Sequence, residues 1–351
     1  MIVSTTLTGS NAPVIGAALE SVLPHVDRCL VIDTGARDET LEVARRVAGD
    51  KLLVRDFPWK DDFAAARNFA LAAAAEAGAT WAVTVDTDER LRFDDGFDLR
   101  KALDAARKAV LLVADDTGTY SKERIIRLPA TVRWAGATHE FLDGQRAGES
   151  EVLKGVRFHE LPKDPEALRR KFQRDVAILK KYTKQHAKEP RWYYYLGASH
   201  HDLGEYAAAI DAYQSCAALG GWAEEGAWAC YRAAECCIKL GHWAEAITFC
   251  AGGLAIRPAT AELAWLAAYA ANKVKRYEDA IAWSHMAIAN GLYEGQGAQF
   301  TRISFRNPTA LYEGPFDILR HAHKALGDTA AAARAEKKFE AAKRAREKAK
   351  G

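Results

Sequence analysis

The sequence predicts an α/β domain followed by an all-α repeat domain. Over the first 90 residues, short β-rich runs alternate with helical patterns, which is typical of parallel βαβ units. In the second half, three similar segments, LGEYAAAI, LGHWAEAI and VKRYEDAI, begin at residues 203, 240 and 274. The 351 residues also exceed the roughly 100 to 200 residues of one domain, so two domains are expected.

Composition and charge narrow the class of protein. A hydrophobic fraction of 49% with only 10 prolines indicates a folded globular protein. The net charge of +2 argues against an extended nucleic-acid surface, although it leaves a local basic patch open. The first residues lack a signal-peptide pattern, and no apolar run approaches the roughly 18 residues of a membrane span. Six cysteines outside any C-x-x-C pair are expected to fill the core, and a cytoplasmic location is predicted.

The first domain is predicted to open with four strands separated by three helices. The strands are MIVSTTL, RCLVIDTG, KLLV and TWAVTV, and the helices are APVIGAALESVL, ARDETLEVARRVAG and DDFAAARNFALAAAAEAG. Asp38 is the expected N-cap of the second helix, and Gly49 its end. The fourth strand brings Asp86 and Asp88 to its carboxyl end, where open parallel sheets bind ligands.

The pattern changes after residue 97. One helix, FDLRKALDAARKA, precedes the short runs AVLLVADD, RIIRLP, VRWAG and GVRFHEL, which indicate mixed or antiparallel strands closing the sheet. An amphipathic connecting helix follows, with one apolar stripe formed by Leu168, Phe172, Val176 and Leu179. The predicted divisions are 1–162 for the α/β domain, 163–189 for the connecting helix and 190–345 for the repeats.

The repeated segments have the period of tetratricopeptide units. The matching residues are Leu196, Gly197, Gly204, Tyr206, Ala209 and Tyr213 in one unit, and Gly241, Trp243, Ala246 and Pro258 in the next. A degenerate fourth unit, ILRHAHKALGDTAAAARA, follows the irregular stretch GLYEGQGAQFTRISFRNPTALYEG. The basic end of the chain is interpreted as a solvated capping helix rather than a nucleic-acid arm.

Four acidic or basic residues share the predicted carboxyl edge of the sheet. Asp86 and Asp88 offer the oxygen ligands that Mg²⁺ or Mn²⁺ prefers, yet the same spacing also forms ordinary capped turns. Asp33 is suited to accept hydrogen bonds from a nucleobase or ribose, or to begin the turn DTGARD. Arg67 is suited to a pyrophosphate or a base carbonyl, or to an ion pair with Asp61 or Asp62.

Four segments, VLPHVDRCLVIDTGARDET, DDFAAARNFAL, VDTDER and VRWAGATHEFL, occur in this order. In order and spacing they resemble the inverting nucleotide-sugar glycosyltransferases of family two. The resemblance is narrower to the branch that fuses a GT-A domain to tetratricopeptide repeats, which includes peptide S-glycosyltransferases of the sublancin type. It implies a Rossmann-like GT-A domain and a nucleoside-diphosphate sugar donor, with a UDP-sugar favoured.

The resemblance also implies roles on the donor side of the site. Asp33, Arg67 and Thr6 would contact the nucleotide. Asp86 and Asp88 would form the D-x-D pair, with Asp88 the direct ligand of Mn²⁺ or Mg²⁺ and Asp86 a further metal candidate that acts near the ribose or through water.

Other implied roles lie later in the chain. His159 would complete the metal ligands. An inverting displacement needs a base to deprotonate the acceptor, and Glu140 is the candidate. His139 would orient the acceptor, assist the metal, or pack in the core. The metal would offset charge on the leaving nucleoside diphosphate.

One departure and two rival functions stay open. Members of this branch usually have Asn-Glu-Glu where this chain has Ser10, Asn11 and Ala12. That change favours a non-catalytic scaffold with a remnant nucleotide-binding domain, whereas the retained acids and histidine of the predicted site argue against it. A haloacid dehalogenase-type phosphatase is the second rival. Its motif normally has Thr or Val two residues after the second Asp, where this chain has Arg90. The repeats are suited to hold a peptide or protein acceptor, or to form a homodimer, and nucleic acid is not favoured.

Overall fold

The computed structural model describes residues 1–145, 148–295 and 306–349 and divides the chain into two compact units, Met1–Pro165 and Glu166–Gly351. The first unit is built around a mixed β-sheet and the second is all α-helical. The predicted fold class, an α/β domain followed by an all-α helical repeat domain, is confirmed over the described residues. The predicted irregular stretch before the fourth repeat includes residues 296–305, which lie outside the described part.

The first unit contains ten strands and four helices in the part described. The strands are β1 (Ile2–Thr8), β2 (Arg28–Asp33), β3 (Leu52–Asp56), β4 (Trp81–Thr84), β5 (Glu89–Phe93), β6 (Val110–Asp115), β7 (Ser121–Arg127), β8 (Arg133–Ala135), β9 (Phe141–Asp143) and β10 (Ser150–Glu160). The helices are α1 (Ala12–Val22), α2 (Thr40–Ala48), α3 (Phe63–Glu76) and α4 (Leu99–Ala105).

Eight of the strands form one sheet in the order β3-β2-β1-β4-β7-β6-β10-β5. The first four are mutually parallel, and β7 is antiparallel to both β4 and β6. This confirms the expected parallel half and the mixed strands that close it. Two strands were not predicted from the sequence. β5 begins one residue after Asp88, and β9 pairs with β8 in a separate two-stranded sheet.

Apolar side chains cover both faces of the large sheet. Residues of α1 and α2, such as Ile15 and Ala44, pack on one face, and residues of α3, such as Leu71, pack on the other. α3 begins where predicted, because the Asp62 carboxylate accepts a hydrogen bond from the Ala65 amide. The expectation that Asp38 is the N-cap of α2 was wrong. That helix begins at Thr40, and the residue before it makes no side-chain cap.

The second unit consists of a long helix followed by helix pairs. The helices are α5 (Pro165–Gln185), α6 (Pro190–Asp202), α7 (Tyr206–Leu219), α8 (Ala223–Leu240), α9 (Trp243–Ile256), α10 (Ala261–Lys273), α11 (Tyr277–Asn290), α12 (Pro308–Leu311), α13 (Gly314–Ala325) and α14 (Thr329–Lys348). α5 begins at Pro165, which is the last residue of the first unit.

Each repeated segment lies at the turn inside one helix pair. Residues 203–210 join α6 to α7, 240–247 join α8 to α9, and 274–281 join α10 to α11. Small residues let the paired helices approach: a Cβ added at Gly197 would lie 2.7 Å from the Tyr213 ring. Over the ranges described, none of these helices combines the length and the apolarity needed to cross a bilayer.

Candidate functional site

The carboxyl edge of the parallel strands gathers the candidate side chains. Asp33 ends β2, Asp86 lies two residues after β4, and Arg67 lies in the second turn of α3. Glu140 directly precedes β9. α3 also holds the segment that carries Glu140, because Asn68 makes two 2.8 Å hydrogen bonds with the main chain of Trp134 in β8.

Arg67 joins two carboxylates that lie far apart in sequence. Its Nε is 2.5 Å from Glu140 Oε1, and its second terminal nitrogen is 3.0 Å from Asp86 Oδ1. Burial alone would lower the pKa of Arg67, but attraction to Asp86 and Glu140 outweighs this and raises the pKa. The remaining guanidinium nitrogen is buried and has no hydrogen-bond partner within the described structure. Arg67 therefore retains an unused donor next to both acids.

A second arginine also binds Asp86. Arg124 of β7 lies 2.9 Å from Asp86 Oδ2 and also binds Glu89. Burial would raise the pKa of Asp86, yet attraction to Arg67 and Arg124 holds that pKa well below its usual range. Asp86 thus stays ionised, with Arg67 close to both carboxylate oxygens and Arg124 bound to Oδ2.

Glu89 is the most buried acid of the site. Its side chain is only 1% exposed, and it accepts hydrogen bonds from Arg124 and from Lys122, the latter at 2.8 Å. Neither Arg124 nor Lys122 was predicted to belong to the site. A signal was present, since these two basic residues are two apart in a strand and therefore point to the same face.

Asp88 lies outside this buried cluster. Its Oδ2 is 2.5 Å from Lys163 Nζ, and its side chain is 34% exposed. His159, the third predicted metal ligand, directs Nδ1 to Asp116 Oδ2 at 2.6 Å. Among the residues described, no group of three or more His, Cys, Asp or Glu side chains is arranged to hold a metal ion. The structure therefore does not bring Asp86, Asp88 and His159 together as one ligand set.

These contacts test the fit of a divalent cation. Asp86 Oδ2 already accepts from both guanidinium groups, whereas Asp88 Oδ1 makes no hydrogen bond with any described residue. Mg²⁺ is often bound by one or two carboxylates, with phosphate oxygens and waters filling the other positions. Asp88 fits such a site as a single protein ligand. The described residues do not form a ready-made cage of protein ligands for this cation.

The remaining candidates occupy different surroundings. Asp33 Oδ1 accepts hydrogen bonds from the amides of Gly35 and Ala36, so this residue does begin the turn, while Oδ2 makes no hydrogen bond with any described residue. Thr6 is fully buried and its hydroxyl has no partner in the described structure, so the open part of the site does not include its side chain. His139 has a φ of +51°, an uncommon conformation for a residue with a side chain.

Asp38 occupies the region where the expected acids are replaced. Its Oδ2 accepts a hydrogen bond from the Ala12 amide at 3.2 Å, and the Arg37 amide donates to Ser10 Oγ at 3.0 Å. The Asn11 amide donates to Thr40 Oγ1 at 2.7 Å. The loop after β2 thus places an acid at the start of α1, whose own first turn contains none.

Comparison with known proteins gives a family match within the first unit. Residues 2–138 match the family model for glycosyl transferase family 2. A TPR repeat-containing protein from Synechococcus elongatus is 37% identical over 139 residues, which are 38% of this chain and 33% of that protein. This chain therefore matches about a third of the length of that curated relative.

Solved structures resemble about half of the chain. A crystal structure of MamA aligns with 54% of this chain and all of its own, at 16% identity and a TM-score of 0.41. A MamA fragment from Desulfovibrio magneticus aligns with 51% of this chain and 95% of its own, at 17% identity and a TM-score of 0.38.

Proposed function

We propose that this protein is a metal-dependent glycosyltransferase that moves a sugar, with inversion, from a nucleoside-diphosphate sugar to an acceptor. The match of residues 2–138 to glycosyl transferase family 2 supports the reaction class. The observation that carries the site is the bridge through Arg67 between Glu140 and Asp86. It brings the candidate base to the acidic segment at the edge where parallel sheets bind ligands.

Glu140 is the proposed base. Arg67 holds Oε1, and Oε2 makes no hydrogen bond with any described residue, which leaves it open to an acceptor proton. As the acceptor atom attacks the anomeric carbon, Glu140 takes its proton and the bond from that carbon to the diphosphate oxygen breaks. The electron pair leaves with the nucleoside diphosphate, and the configuration at the anomeric carbon inverts because the acceptor attacks the face opposite the leaving group.

The charged side chains around the acids support the leaving group. The unused donor of Arg67 is suited to a phosphate or ribose oxygen, because a buried donor without a partner gains most from an acceptor. Asp88 is the proposed ligand of Mn²⁺ or Mg²⁺, which when bound neutralises charge on the diphosphate. Asp33 Oδ2 is the proposed acceptor for the base or ribose. A UDP-sugar is the favoured donor.

The acceptor is proposed to be a peptide or protein that binds the helix pairs. Stacked helical repeats form extended surfaces that hold peptides, and this use fits the second unit of the chain. A non-catalytic scaffold is the competing function. The Arg67 bridge favours the enzyme, since a scaffold has no use for an arginine that joins two carboxylates and keeps a free donor.

Nucleotide binding tests the proposal. UDP, GDP and their sugars are titrated with and without Mn²⁺, and binding is followed by calorimetry and sugar release by chromatography. We expect binding that Mn²⁺ strengthens, slow hydrolysis of one donor, and loss of the Mn²⁺ effect in Asp88→Ala. Asp104→Ala is the matched control, because it removes an exposed acid of α4. Absence of metal-dependent nucleotide binding in the unmodified protein would reject the enzyme.

A further inference from the structure

Lys163 lies on the carboxylate that is proposed to bind the metal. Its Nζ is 2.5 Å from Asp88 Oδ2 and 3.3 Å from Glu160 Oε1. The main chain fixes this placement, because the Leu161 amide donates to the Asp88 carbonyl oxygen at 2.8 Å. The segment after β10 is therefore tied to the acidic segment through both side chain and backbone.

The ammonium group is charged and has room to move. Its Nζ lies within 3.3 Å of carboxylate oxygens of both Asp88 and Glu160, which stabilise its positive charge. The side chain is 28% exposed, so it borders solvent rather than packing in the core. A lysine carries a compact charge on a flexible four-carbon stem, which allows it to exchange partners without backbone movement.

A second lysine keeps the surroundings balanced when Lys163 leaves. Lys122 Nζ lies 3.0 Å from Glu160 Oε2 and 2.8 Å from Glu89 Oε1. Glu160 therefore has a cation on each oxygen and does not depend on Lys163 alone. Among the contacts described, the partner that Asp88 would lose is Lys163, and a divalent cation would replace it.

We propose that Lys163 is an internal counter-cation of Asp88, which pairs with this carboxylate in the donor-free protein and moves to the diphosphate when the donor binds, so that a divalent cation takes its place on Asp88. The inference rests on the proposed function. An ammonium group at 2.5 Å repels a divalent cation from Asp88, so the protein alone binds the cation weakly. A nucleoside diphosphate draws Lys163 away and strengthens cation binding, and by linkage the cation strengthens nucleotide binding by the same factor.

Metal binding without nucleotide tests this inference directly. Mn²⁺ affinity is measured from the free-ion electron paramagnetic resonance signal for the unmodified protein, Lys163→Met and Lys163→Arg. We expect Lys163→Met to bind Mn²⁺ about tenfold more tightly, within the range typical of coupled sites. Lys163→Arg keeps the charge and should bind Mn²⁺ as weakly as the unmodified protein. Lys101→Met is the control, since it alters an exposed lysine of α4.

Two further measurements complete the test. UDP without metal should bind Lys163→Met about tenfold more weakly, because the ammonium group is missing from the diphosphate. Adding Asp88→Ala to Lys163→Met should remove the gain in Mn²⁺ affinity. If Lys163→Met has a native circular dichroism spectrum and still binds UDP with Mn²⁺, an unchanged Mn²⁺ affinity would overturn this inference. The proposed function would not be affected by that result. No UDP binding in any protein would overturn the proposed function as well.

Discussion

Arg67 Nε lies 2.5 Å from Glu140 Oε1, and the two residues are 73 positions apart in the chain. The same guanidinium group binds Asp86, so one side chain sets the separation of both acids. A planar guanidinium with several fixed donors can do this, whereas an ammonium group is a single point charge. The geometry of the candidate site therefore depends on arginine at this position and not on positive charge alone.

We expect Arg67→Lys to weaken UDP-sugar binding and to slow donor hydrolysis by about 100-fold, because Glu140 is no longer held beside Asp86. Calorimetry and the rate of UDP release measure the two effects. Arg46→Lys is the control, since Arg46 is exposed on α2. Full donor affinity and full turnover in Arg67→Lys would show that the bridge is not needed.

Glu140→Gln should separate binding from chemistry. Glutamine keeps the size of glutamate and an oxygen that accepts from Arg67, but it cannot take the acceptor proton. We expect UDP-sugar affinity within about twofold of the unmodified protein and UDP release about 100-fold to 10,000-fold slower, the range of one general base. Glu151→Gln, on the exposed side of β10, should leave both values unchanged. Normal turnover in Glu140→Gln would place the base elsewhere.

Glu89→Gln should destabilise the α/β unit. Its carboxylate is buried against Arg124 and Lys122, so its loss removes one of the two carboxylate partners of each cation. Breaking a buried ion pair on one side costs about 3 to 5 kcal/mol. Because the chain has two units, local stability is best measured by amide hydrogen exchange in β4 and β7 under increasing urea. A loss below about 1 kcal/mol, similar to that of an exposed glutamate, would contradict the assigned contacts.

The behaviour of these acids shows what the sequence could predict. The order of strands and helices placed Asp86 and Arg67 at one edge, since periodicity and turn residues are local signals. Glu89 could not be assigned in the same way, because its partners lie 33 and 35 residues later, in a strand whose pairing is set by the whole sheet. Lys163 was missed for a similar reason, as its contact with Asp88 depends on where β10 ends.

The buried thiols of the helical unit predict a loss of stability at high pH. Burial raises the pKa of Cys216 and Cys236 to about 12 and that of Cys230 and Cys237 to about 11. In the unfolded chain the pKa of a cysteine thiol is about 8.5. The stabilisation is complete below that pH and is lost as pH rises toward the folded pKa values, because only the unfolded state releases protons.

We therefore expect the free energy of unfolding of the helical unit to fall steadily between about pH 8.5 and 11. The thiols should also resist Ellman's reagent at pH 8 until the helices unfold, since all six cysteines are buried. Urea unfolding at several pH values and thiol titration provide the measurements. Rapid modification of several thiols in the folded protein would contradict this packing.

Two adjacent glycines of α9 offer a matched pair of substitutions. A Cβ at Gly253 would lie 2.6 Å from Leu263 Cδ1 and 2.9 Å from Cys230 Cβ, whereas a Cβ at Gly252 meets no atom within 4 Å. Both positions are helical, so alanine gains up to about 1 kcal/mol of helix propensity at each. At Gly253 the clash with two neighbouring helices outweighs this gain, since overpacking costs about 1 to 3 kcal/mol.

We expect Gly252→Ala to raise the melting temperature slightly and Gly253→Ala to lower it, and the change is read from the circular dichroism of the helical unit. The same backbone and the same added methyl group are compared, so the difference reports the close approach of α9 to α8 and α10. If the two variants melt together, the helices are packed less closely than the distances at Gly253 indicate.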